Sequence, residues 1–101
     1  MNSTENTQFF LSIAFDDNSQ TFYKEMSNII NNYPNVDMVA YHEGLLKERR
    51  KAFMLKGGYS ARETPFAVVF NIDRIPLKAF YTEAKECTVE NIKSYLDSLI
   101  N

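Results

Sequence analysis

Tyr59-Ser60-Ala61-Arg62-Glu63-Thr64-Pro65-Phe66-Ala67-Val68-Val69-Phe70 is a polar turn that meets a proline and runs straight into five apolar residues. That run is rich in β-branched and aromatic side chains and too short for a free-standing helix. It predicts a strand covered on both faces and central in its sheet. Proline has no N–H to give to a sheet ladder, which places Pro65 at the first position of the strand or just ahead of it. The X-Pro bond is also the one peptide bond that is cheap to hold in cis, and the mouth of a buried strand is where such a bond is used.

Toward the N-terminus, Phe9 to Phe15 places Phe9, Leu11, Ile13 and Phe15 on one face and Phe10, Ser12 and Ala14 on the other, as a first strand requires. Asp16-Asp17-Asn18-Ser19 breaks that alternation and supplies capping side chains and acids for the positive end of a helix. The helix is expected from about Gln20 to Asn32, with Phe22, Met26, Ile29, Ile30 and Tyr33 in one stripe and Pro34-Asn35 ending it. Val36 to Tyr41 reads as a second strand buried on both faces, followed by a turn at His42-Glu43-Gly44. Leu45 to Leu55 reads as an amphipathic helix. Leu45, Leu46, Phe53 and Met54 would face inward, Lys47-Glu48-Arg49-Arg50-Lys51 outward, and Gly57-Gly58 would close it.

Beyond Phe70, Asn71-Ile72-Asp73-Arg74 has turn character, and Ile75 to Tyr81 reads as a strand that hairpins back, marked as an edge by Pro76. The last helix starts at Thr88 as N-cap, with Cys87 and Ile92 at the two positions of a hydrophobic staple and Ile92, Leu96, Leu99 and Ile100 as its buried stripe. The order is β-α-β-α-β-β-α. This predicts an α/β fold with a four-stranded mixed sheet, parallel in its β-α-β half and antiparallel in its hairpin, covered by helices on both faces.

A chain of 101 residues, 45% apolar and 24% charged, is one domain able to stand on a hydrophobic core, with residues 1–7 as a polar tail. A net charge of -2 offers no electrostatic case for nucleic acid or an anionic membrane. Cys87 is the single cysteine and cannot form an internal disulfide. With no signal-peptide pattern and no long apolar run, the chain is expected in the cytoplasm. His42 is the sole histidine and reads as a solvated turn residue, and Asp16-Asp17-Asn18 reads as capping rather than a calcium loop. No phosphate-cradling glycine loop and no Ser/His/Asp set is found, so neither a cofactor, a metal nor a small-molecule substrate is expected.

With this order and this proline, the chain resembles thioredoxin-fold proteins over nearly its whole length. The residues that carry the resemblance are Tyr59-Ser60-Ala61-Arg62-Glu63-Thr64-Pro65, which match the family's segment ahead of a cis-proline and an apolar strand. The Gly-Gly pair that follows the proline strand in glutaredoxins is absent, and Pro76-Leu77 stands nearby instead. The resemblance places the family's Cys-x-x-Cys on Gln20-Thr21-Phe22-Tyr23 and its buried acid on Ala14, so both the dithiol and the proton-handling group are missing. Thiol-disulfide exchange needs a thiolate at a helix N-terminus, which Gln20 and Tyr23 cannot supply.

The expectation is therefore a redox-inactive protein that serves as an interaction or structural subunit of a larger assembly, with an auxiliary protein of a phage virion as one concrete version. Gln20, Thr21, Tyr23, Tyr59, Glu63, Thr64 and Pro65 would form its protein-binding groove, and the resemblance implies that the backbone of Thr64 pairs with an extended peptide. Lys47, Arg49, Arg50 and Lys51 would present a charged second surface, and the N-terminal tail a third. Tyr41 and Phe66, with Tyr23 and Tyr59, are candidates for the groove or for plain core. The alternative is a divergent thiol-dependent oxidoreductase or glutathione-binding protein built on Cys87, which the resemblance places at the end remote from that groove or beside it.

Overall fold

The computed structural model describes residues 7–42, 53–54, 60–61 and 64–100. Strand β1 (Phe9–Phe15) leads through a 3-10 turn (Asp17–Ser19) into α1 (Gln20–Ile29), which tightens into a second 3-10 turn (Ile30–Asn32) before β2 (Val36–His42). Two short strands follow, β3 (Phe53–Met54) and β4 (Ser60–Ala61), then β5 (Phe66–Asn71), β6 (Pro76–Tyr81), a 3-10 turn (Thr82–Ala84) and α2 (Val89–Ile100). The main sheet has the order β2-β1-β5-β6, with β1 parallel to β2 and antiparallel to β5, and β5 antiparallel to β6. β3 and β4 form a separate antiparallel pair.

The alternation of β1 sorts the core into two clusters. On one face Leu11, Ile13, Ala67, Val69 and Phe80 pack with Phe22 and Met26 of α1 and Ile92 and Leu96 of α2. On the other, Ala14, Phe66, Val68 and Phe70 pack with Phe10, Tyr41, Ala79 and Tyr81. All five residues from Phe66 to Phe70 are buried, as expected of a central strand that meets β1 on one side and β6 on the other.

Side chains cap the 3-10 turn that leads into α1 and the start of α2. Asp16, buried with Ser19, accepts from the Asn18 N–H (3.0 Å), while Ser19 Oγ accepts from the Asp16 N–H (2.8 Å) and closes the reciprocal cap. At α2 the Thr88 hydroxyl accepts from the Asn91 N–H (3.1 Å), and Cys87 and Ile92 both enter the helix-covered cluster. The helices are tied by the Tyr33 hydroxyl, which donates to Asp97 Oδ1 (2.5 Å), with Lys93 Nζ on the other carboxylate oxygen (3.3 Å). Burial, then the Asp97 carboxylate, raise Tyr33 to about 12. The same hydrogen bond, followed by the Lys93 ammonium, lowers the Asp97 carboxyl.

The structure corrects several expectations. β2 is an edge strand, not a doubly buried one: among the described strands it pairs with β1 alone, and Val39 is 45% exposed. Among the described residues both helices contribute to the same core cluster, and most of the segment expected to supply a helix on the other face lies outside those residues. Of the helix expected over Leu45 to Leu55, Phe53–Met54 is instead a strand paired with Ser60–Ala61, because antiparallel pairing claims those backbone groups; the rest of that segment lies outside the described residues. His42 ends β2 rather than opening a turn.

Candidate binding end of the sheet

The register brings one set of strand ends together. Phe15 closes β1 opposite His42 of β2, the neighbouring Ala14 faces Phe66 at the start of β5, and Phe66 faces Tyr81 at the end of β6. The turn that starts α1, the Thr64-Pro65 dipeptide and Thr82 therefore lie at this same end. The Thr64-Pro65 peptide bond is cis. The Thr82 hydroxyl donates to the Pro65 carbonyl oxygen (2.6 Å) and ties the mouth of β5 to the residue after β6.

An aromatic column stands beside this mouth. The Tyr23 ring, on the first turn of α1, stacks on Phe15 at 4.4 Å and 3°, and the His42 ring meets Phe15 edge-on at 5.1 Å. His42 Nε2 lies 2.9 Å from Asp17 Oδ1, which also accepts from Gln20 Nε2 (3.3 Å). A carboxylate only accepts, so Nε2 is the protonated nitrogen. Both partners are exposed, at 46% for His42 and 77% for Asp17, and a pair so placed contributes little to stability.

Of the residues expected to form a binding groove, Gln20 and Thr21 are exposed on the first turn of α1, Tyr23 is half-buried in the aromatic column, and Thr64 and Pro65 are half-buried at the mouth of β5. Tyr59, Glu63, Lys47, Arg49, Arg50, Lys51 and the first six residues of the tail lie outside the described residues. Phe66 and Tyr41 belong to the core cluster on the face away from α1 and α2. No local sequence pattern signals the pairing of His42 with Asp17 or the bond of Thr82 to Pro65. Only the register of β2 on β1 carries His42 to Phe15, and no local pattern announces it.

The chemistry at this end is that of amide, hydroxyl, phenol, imidazole, carboxylate and backbone groups. Cys87 stands behind it: its side chain meets Thr82, the residue that holds the Pro65 carbonyl. It is 7% exposed, and burial pushes its thiol up to about 12 against a weaker opposing pull from the Thr82 hydroxyl. At neutral pH it is a protonated, enclosed thiol, the opposite of the exposed thiolate that exchange chemistry uses. Among the described residues, no group of three or more His, Cys, Asp or Glu side chains could hold a metal ion, and no helix is long and apolar enough to cross a membrane. No family model, no curated protein and no solved structure matches this chain.

Proposed function

We propose that this chain is a thioredoxin-like domain without a dithiol, and that it binds a protein partner through the end of the sheet where Thr64-Pro65 meets the start of α1. The observation that carries the reading is the strand order β2-β1-β5-β6, with a parallel β1-β2 pair and Thr64-Pro65 opening β5. In thioredoxin-fold proteins that end receives an extended peptide, and here the same end of the sheet carries exposed Gln20 and Thr21 on α1 and half-buried Thr64 ahead of β5. An incoming strand would find main-chain hydrogen-bonding groups at Thr64 and an aromatic wall in Tyr23 and Phe15. The buried, protonated Cys87 weighs against the thiol-dependent alternative. Service as a subunit of a larger assembly, a virion among them, is the broader form of the same reading.

The test is the mass of the native particle that co-purifies with the untagged chain, by size-exclusion chromatography with light scattering, for wild type and for Thr21→Arg, Thr64→Arg and Cys87→Ser. The reading expects a defined complex that Thr21→Arg and Thr64→Arg disrupt and that Cys87→Ser leaves intact. A complex indifferent to both arginine variants would overturn the choice of surface. Disulfide-exchange activity that disappears with Cys87→Ser would overturn the redox-inactive reading itself.

A further inference from the structure

Strand β6 is the last in the main sheet, and no described strand pairs with its outer edge. Pro76 has no N–H and the register on β5 slips at Leu77, so the regular stretch able to receive a new strand runs from Lys78 to Tyr81. Alongside it, between β6 and α2, lies an open groove of about 360 Å³ lined by Lys78, Phe80, Glu86, Asn91, Ser94 and Tyr95. Its floor is aromatic: Phe80 and Tyr95 meet edge-on at 5.8 Å, and the Lys78 ammonium lies 5.8 Å from the centre of the Phe80 ring. Lys78 and Glu86 thus border one groove with opposite charges, and neither enters an ion pair with another described residue. Toward the hairpin tip, Ile72, Ile75 and Leu77 are exposed at 52%, 56% and 41%.

We propose that β6 pairs antiparallel with β6 of a second copy of this chain about a two-fold axis perpendicular to the sheet. Such an axis returns each face of the sheet to the same side, so the Lys78 of one copy approaches the side of the groove that carries Glu86 in the other, and the contact repeats reciprocally. A lysine on an edge strand ordinarily discourages pairing, because an incoming strand must leave its charge unmatched. Here the second copy brings its own acid to that position. This pairing uses an edge of the sheet and stands apart from the binding end proposed above.

Sedimentation equilibrium of the purified full chain over a concentration series tests it, with circular dichroism as the check on folding. Wild type is expected to dimerise. Lys78→Glu and Glu86→Lys, each placing like charges across the axis, are expected to weaken association by about tenfold or more. Two results then distinguish a reciprocal pair from a general charge effect. The double variant K78E/E86K associates with itself as wild type does, and an equimolar mixture of the two folded single variants forms a mixed dimer. A wild type that stays monomeric to its solubility limit overturns the proposal and leaves β6 for a strand of another protein. Failure of both the double variant and the mixture to restore association overturns it as well.

Discussion

On one face of the sheet, Leu11, Ile13, Ala67 and Val69 lie beneath α1 and α2, whose Phe22, Met26, Ile92 and Leu96 close over them. On the other, Ala14, Phe66 and Val68 are as fully buried, yet no side chain from either helix joins their cluster. The first face is sealed by apolar stripes of the two helices. The second relies in part on large rings lying over small neighbours within the sheet: Phe66 stacks with Tyr81 at 5.0 Å, and the Arg74 guanidinium sits 4.6 Å above Phe10. Its flanks stay open, with Val39 at one edge and Leu77 at the other both more than 40% exposed. Among the described residues the two faces are therefore covered differently, and the two modes of burial should respond differently to substitution.

The largest effect should come from the ring-built face. Phe66→Ala removes a completely enclosed aromatic side chain and is expected to cost about 3–5 kcal/mol in urea unfolding. A cost below about 1 kcal/mol would show that this face is wetter than its enclosure implies. Leu96→Ala, under the helices, is expected to cost about 2–5 kcal/mol, and the ratio of the two losses measures how equal the faces are.

Tyr33→Phe should act less strongly, and in a pH-dependent manner. The depressed Asp97 carboxyl adds stability that is present above the ordinary carboxylate range and lost as pH falls through its folded value. The raised Tyr33 hydroxyl adds stability that is complete below about 10 and lost as pH rises through about 12. Unfolding free energy measured against pH should therefore flatten at both extremes in Tyr33→Phe. Unchanged limbs would break the link between the two helices. The smallest effect is expected at the open flank: Val39→Thr should change stability by no more than about 0.5 kcal/mol.

How far the sequence could be read follows the same division. The alternation of Phe9 to Phe15 and the run of Phe66 to Phe70 predict their strands because burial on one or two faces writes itself into local pattern. Val36, Met38, Val39 and Ala40 carry a similar apolar density, yet β2 ends at the sheet edge, since strand order is set by partners distant in sequence. Phe53 and Met54 stand at helical spacing from Leu45 and Leu46, but their pairing with Ser60 and Ala61 overrides that spacing. At the end of the sheet proposed to bind, Thr64 and Pro65 stand out because a proline before an apolar strand is a local signal, whereas Gln20 and Tyr23 are placed only by the resemblance to thioredoxin-fold proteins. His42 and Asp17, 25 positions apart, became neighbours only once β2 was registered on β1.

The parallel rings of Phe15 and Tyr23 also have a spectroscopic consequence. The chain contains no tryptophan, so its near-ultraviolet dichroism comes mainly from six tyrosines and eight phenylalanines. Tyr23 sits in a fixed, asymmetric setting at the end of the sheet proposed to receive a partner. A Tyr23→Phe difference spectrum would isolate its band, and that band would then report occupancy of this end in solution without any attached label.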